Sequence, residues 1–154
     1  MGIALFFQSL LELPAMLLYQ KFRDRVKTGS VLIFSGVMFS VRHICTAAAS
    51  SLIPFFFIQL LQAGAFALFI PASVYFADEF FDSADAAKGQ SLVTMCITIA
   101  GIIATFFGGF LLDGFGVHRT LVFFSAISVL GSLILVFAVR KMEKMVAGRQ
   151  RAVS

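Results

Sequence analysis

The chain alternates between long apolar runs and short polar breaks, and the runs are too long and too even for strands. Apolar residues dominate 2–20, 29–50, 52–77, 89–112 and 120–139. A helix needs about 20 such residues to cross a hydrocarbon core of ~30 Å, and each run is close to that length or beyond it. None alternates with a period of two, so a membrane barrel is excluded. The pattern predicts an all-α fold: a polytopic membrane bundle of five transmembrane helices over 1–139, closed by a basic tail over 140–154. Gln8, Glu12 and Pro14 interrupt the first run. Pro54 falls in the first turn of the third run, where a missing N–H is harmless. Pro71 lies deeper, where a kink is expected.

The polar breaks set the orientation. Basic residues gather at Lys21, Arg23, Arg25 and Lys27, and again at Arg140, Lys141, Lys144, Arg149 and Arg151. An odd number of crossings puts the two ends on opposite sides and these two clusters on the same side. Basic loops stay in the cytoplasm. The expectation is a multi-pass protein of the cell membrane with its amino end outside and its carboxyl end cytoplasmic. The acidic break over 78–88 falls inside as well, and carries little weight because the rule counts basic residues.

Composition agrees with the pattern. Of 154 residues, 60% are hydrophobic and 13% charged, with a mean hydropathy of +0.98, more apolar than a soluble domain of that length requires. A net charge of +4 raises nucleic acid as a partner. The aromatic residues, however, lie inside the apolar runs and are not interleaved with lysine and arginine, so no platform for stacking bases is formed. The partner is lipid. Cys45 and Cys96 sit in separate runs without the neighbours of a metal or redox motif. No cleavable signal peptide is evident, because no basic segment precedes the first run. That run begins almost at Met1, so the chain is expected to be part of something longer.

The second run holds the residue that costs most to place. Arg42 lies well inside 29–50, and an arginine facing lipid at that depth costs at least ~2.5 kcal/mol. It must meet a polar cavity, an acidic partner or a route to the headgroups. Glu12 is the natural partner, lying roughly 12 Å from the cytoplasmic end of its run against roughly 19 Å for Arg42. A direct or water-bridged pair, two separate points of one cavity, and purely structural roles all remain open. Gln8 shares the face of Glu12, and Gln62 sits near the middle of the third run. Both offer donors and an acceptor to a polar solute, or bonds between helices. His43 points away from Arg42 and is a less certain candidate for the cavity, as is Tyr75, which also suits an interfacial anchor. Gly64, Gly101, Gly108 and Gly109 are candidates for close helix packing or for sliding surfaces. Asp24, Arg25, Asp113 and Arg119 are expected to organise turns. No serine, histidine and carboxylate fall into a catalytic pattern and no metal-ligand spacing occurs, so the chain is not read as an enzyme.

The residues resemble the carboxyl-terminal half of a major facilitator transporter, in particular the lactose permease branch and its sugar or nucleoside symporters. Ser40-Val41-Arg42 is similar to the Ser-Val-Arg of that branch's ninth helix, whose arginine serves sugar recognition and proton coupling. Gly109 to Gly116, with Asp113 between them, resembles the end of the eleventh helix and its turn. Asp24-Arg25 followed by Lys27 resembles a degraded form of the superfamily's Gly-x-x-x-Asp-Arg-x-Gly-Arg-Arg loop, without its glycines. The chain then corresponds to the last five of twelve helices. The resemblance implies alternating-access transport of a small polar solute, with the proton as coupling ion and no other cofactor. It also implies a missing amino-terminal half as partner, so that the chain alone would not carry out coupled uptake. The branch's tenth-helix histidine and glutamate fall on Gln62 and Ala65, its eleventh-helix lysine on Ile97, and its eighth-helix glutamate near Gln8 or Ser9. Glu12 is therefore the best protonatable group left. A stand-alone membrane scaffold or partner protein without transport is the alternative.

Overall fold

The computed structural model describes residues 2–49, 51–79 and 85–153. Four helices account for nearly all of them: α1 (Gly2–Phe22), α2 (Thr28–Ala48), α3 (Leu52–Asp78) and α4 (Ala86–Val153), with a single 3₁₀ turn over Arg23–Arg25 between the first two. Three segments among the described residues are long and apolar enough to cross a membrane: Thr28–Ala48, Leu60–Asp78 and Ala87–Met145. Pro14 and Pro71 are carried inside α1 and α3.

The fourth and fifth predicted runs are joined in one element, where the sequence pattern suggests a turn over 113–119. Ala87–Met145 holds 59 residues, about 88 Å of helix at 1.5 Å per residue, far more than one bilayer. It does not run straight. Gly116 adopts φ 77 and ψ 170, a region that only glycine occupies readily. Gly108 then lies against the ring of Phe124, whose Cζ is 3.4 Å from where a Cβ at Gly108 would be. In a straight helix those two positions would stand about 24 Å apart. The helix therefore folds back sharply at Gly116 into two arms, 86–115 and 117–153. The second arm continues through the basic stretch that the sequence reads as a tail.

That second arm packs antiparallel on α2 along a seam of small residues. Gly29, Gly36 and His43 recur every seven residues on α2, and Ser125, Ser132 and Val139 do the same on α4. An added side-chain atom would force its neighbour to shift: a Cβ at Gly36 would sit 2.6 Å from Leu135 Cδ2, and one at Gly29 would sit 2.9 Å from Val139 Cγ1. The seven-residue repeat is the period that keeps two helices in contact along their length. Hydroxyls add directional bonds. Ser40 Oγ lies 3.0 Å from both the Ser128 carbonyl and Ser132 Oγ, and Ser125 Oγ donates to the His43 carbonyl at 2.9 Å. The Glu143 carboxylate reaches Gly29 at the start of α2. The N-cap residue Lys27 makes no side-chain cap bond, and Glu143 places negative charge where the helix dipole favours it.

α3 packs on the other side of α2, also antiparallel. Gly64 admits Met38 and Phe34, and Phe39 meets Phe66 and Phe69 edge-on, with ring centroids 6.3 and 5.9 Å apart. Ala65, Ala67 and Ala72 are fully buried. The core joins Tyr19, Val31, Leu32, Ala72, Phe76 and Val139, drawing on all four helices.

Candidate functional site

Three helices bring polar groups together inside the bundle. Gln62 on α3 is only 6% exposed, and its Nε2 donates to Glu12 Oε1 on α1 at 3.3 Å. The α2–α3 register set by Gly64 with Met38 and by Phe39 with Phe66 brings Arg42 to the level of Gln62. Arg42 is half-buried, and the Glu12 carboxylate acts on its guanidinium electrostatically. The sequence places Glu12 and Arg42 at depths ~7 Å apart by helix rise. Gln62 approaches that pair from α3 through its bond to Glu12. Its other end, Oε1, is buried and has no hydrogen-bond partner among the described residues. The side chain of Gln8 lies outside the described residues.

Such an arrangement has a definite chemistry. It offers a guanidinium that donates, a carboxylate that accepts or carries a proton, and an amide whose two ends differ in polarity. Among the described residues no three of His, Cys, Asp and Glu gather as metal ligands.

The residues beside Arg42 serve packing. Ser40 belongs to the α2–α4 seam, so of Ser40-Val41-Arg42 only the arginine joins Glu12 and Gln62. His43 Nδ1 lies 2.8 Å from the Phe39 carbonyl. A carbonyl only accepts, so Nδ1 carries the proton. The ring stacks on Phe39, with centroids 6.3 Å apart.

A second polar cluster lies at the opposite end of α2. Tyr19, Arg23, Asp24, Lys27, Thr28, Tyr75, Asp78 and Glu79 line a crevice of about 450 Å³. The Arg23 guanidinium lies over the Tyr75 ring at 4.4 Å, and Tyr75 is 6.2 Å from Tyr19 between ring centroids. Arg23 Nε pairs with Asp24 at 3.2 Å; Tyr75 and then Asp24 push the guanidinium above its ordinary value. Thr28 Oγ1 donates to Glu79 at 2.6 Å and Gln90 Nε2 donates to Asp78 at 2.9 Å. These bonds tie the start of α2 and the start of α4 to the end of α3. Tyr75 is thus a member of this end cluster, away from Arg42. Asp24 takes Arg23 as its partner, while Arg25 is exposed.

The remaining predicted positions divide. Asp113 and Arg119 are both exposed, on either side of the break at Gly116. Arg119 borders a crevice of about 270 Å³ with Leu111, Phe115, Thr120 and Phe123. Gly64 and Gly108 make close helix contacts, whereas a Cβ at Gly101 or Gly109 would meet nothing within 4 Å. The tightest approaches are at Gly29 and Gly36, and the end cluster depends on Arg23, Thr28 and Glu79. None of these five stands out by residue type. The seven-residue spacing is the signal that would have found the glycines; nothing in the sequence pairs Thr28 with Glu79.

The family model described as the Major Facilitator Superfamily matches residues 1–152. No curated protein and no solved structure matches the chain.

Proposed function

The chain belongs to the Major Facilitator Superfamily, whose members move small solutes across membranes, and from that premise we propose that it binds a small polar solute of the sugar or nucleoside class and couples its passage to a proton. The observation that carries this reading is that three helices bring Glu12, Gln62 and Arg42 into one region of the bundle, with Gln62 bonded to Glu12 and the Glu12 charge acting on Arg42. Arg42 is the solute contact, Glu12 the proton carrier, and Gln62 with Gln8 the neutral lining. The permease-like Ser-Val-Arg on α2 supports the same solute class.

The proposed arrangement has five crossings: α1, α2, α3 and the two arms of α4, with the amino end outside and the carboxyl end cytoplasmic. The fold at Gly116 supports two crossings in α4, since each arm is long enough to span a bilayer. Alternating access needs two bundles rocking about a central site, so a further helical bundle supplies the other wall.

Uptake into proteoliposomes under an imposed proton gradient tests the proposal. With the companion bundle present, one sugar or nucleoside from a panel should accumulate and be lost on Arg42→Ala or Glu12→Gln. Vesicles carrying this chain alone should accumulate none. Accumulation that survives both substitutions at matched abundance overturns the site.

A further inference from the structure

Gln62 has two chemically opposite ends, and only one is satisfied. An ionised carboxylate can only accept hydrogen bonds, so the amide must turn its NH₂ toward Glu12, as the 3.3 Å contact from Nε2 to Oε1 shows. Its carbonyl oxygen is then directed away from Glu12. That oxygen is buried without a hydrogen-bond partner among the described residues, on a side chain 6% exposed. Buried polar atoms are rarely left this way without a role for the open valence.

Protonation of Glu12 reverses the requirement. A carboxylic acid presents an O–H, and the group best placed to accept it is an amide carbonyl. We propose that Gln62 is a proton-operated amide switch: with Glu12 ionised it presents its carbonyl to the solute site, and with Glu12 protonated it turns over and presents its NH₂. The proton comes from the water to which the site is open and leaves to the water on the other side. No bond other than the carboxyl O–H forms or breaks. The consequence concerns specificity. An ionised site offers the solute an acceptor at Gln62 beside the donors of Arg42, and so holds a hydroxyl or N–H of the solute. A protonated site offers donors at both positions and holds a carbonyl or ether oxygen. One solute group is therefore bound in one protonation state and rejected in the other.

The groups facing Glu12 fit this role. From α3 the contact is the neutral Gln62, and from α2 the charged neighbour is Arg42. The inference rests on Glu12 being the proton carrier of the proposed site.

Infrared difference spectroscopy between acid and alkaline pH tests it, on the reconstituted chain. A carboxylic-acid band that disappears in Glu12→Gln identifies protonation of Glu12. Isotopic labelling of the glutamine carbonyls identifies any amide band that moves with it, in the unaltered chain. The expected result is a glutamine band that titrates together with the Glu12 band and is lost in Gln62→Leu. Should Gln62→Leu fail to insert, Gln62→Glu serves, because a carboxylate has no second orientation. A Glu12 band that titrates while every glutamine band stays fixed overturns the switch and leaves the solute site standing. Absence of any Glu12 band overturns both the switch and proton carriage by this residue. Loss of uptake in Arg42→Ala, measured separately, reports on the solute site alone.

Discussion

Gly36 on α2 and Leu135 on α4 approach so closely that a Cβ at Gly36 would sit 2.6 Å from Leu135 Cδ2. The obstructing atom is the end of a flexible side chain, so a single methyl is partly accommodated. Gly36→Ala gains up to ~1 kcal/mol in helix propensity against ~1–3 kcal/mol for overpacking, a small net loss. Gly36→Leu has no such compensation and should lower the unfolding midpoint in detergent micelles by several degrees. Gly101→Leu, placed in open space, should leave it unchanged. Equal losses at the two positions would show that the seam does not hold α2 to α4.

Gly116 is a different kind of glycine, required for its backbone. Its φ of 77 with ψ of 170 costs a side-chain-bearing residue ~1–3 kcal/mol. Gly116→Ala should therefore destabilise by about that amount in the same unfolding assay. Gly114→Ala, two residues earlier and with nothing within 4 Å of its Cβ, should not. Stability unchanged in Gly116→Ala would mean that the sharp fold in α4 is not needed for the bundle.

These two glycines show what was legible in the sequence and what was not. Hydropathy alone located the apolar runs, because each helix in a bilayer must satisfy its own backbone and so needs an unbroken apolar stretch. The break near residue 116 was visible as a cluster of glycines, but which glycine bends depends on backbone angles that composition does not carry. Gly101 and Gly109 are small residues in an apolar run, yet face open space, whereas Gly29 and Gly36 make the close approaches, their seven-residue spacing matching Ser125, Ser132 and Val139. Small size says that a helix can approach closely; only the partner's register says where it does. The same holds for the site. Glu12 and Arg42 are conspicuous as charges in apolar runs, while the role of Gln62 between them follows from how α3 slides against α2.

The Thr28–Glu79 bond, at 2.6 Å between the start of α2 and the end of α3, is open to a double-mutant cycle. Glu79 is exposed to water, which screens its carboxylate, so the coupling should be on the order of 1 kcal/mol. Thr28→Val and Glu79→Gln should each destabilise modestly, and the double variant should lose less than the two losses added. Full additivity would remove this bond as a tie between the two helices.

Arg42 and Glu12 should matter to uptake far more than the cysteines. Arg42→Ala leaves a carboxylate without its charged neighbour, and Glu12→Ala leaves a guanidinium without one. With the companion bundle present, either variant should reduce uptake at least about tenfold, corresponding to ~1.4 kcal/mol of lost transition-state stabilisation. Arg42→Lys should not restore it, since an ammonium lacks the planar fork of donors. Cys45→Ser and Cys96→Ser, at matched membrane abundance, should transport normally. Equal uptake by all of these variants would remove the site.

The two-armed form of α4 makes a prediction about topology. The arm over 86–115 holds 30 residues, about 45 Å of helix, which exceeds the ~30 Å hydrocarbon core and leaves both ends free to reach water. Lys88 and Val117 are exposed near those two ends. If the arm crosses the membrane, cysteines introduced as Lys88→Cys and Val117→Cys, in a chain carrying Cys45→Ser and Cys96→Ser, should be labelled by an impermeant maleimide from opposite faces. Lys144, exposed beyond the second arm's apolar stretch, should label from the same face as Lys88 when replaced by cysteine. In the proposed orientation, that face is the cytoplasmic one, since it carries the basic residues around 21–27 and 140–151. Labelling of Lys88→Cys and Val117→Cys from a single face would mean that the first arm lies along the membrane, and the five-crossing arrangement would fail with it.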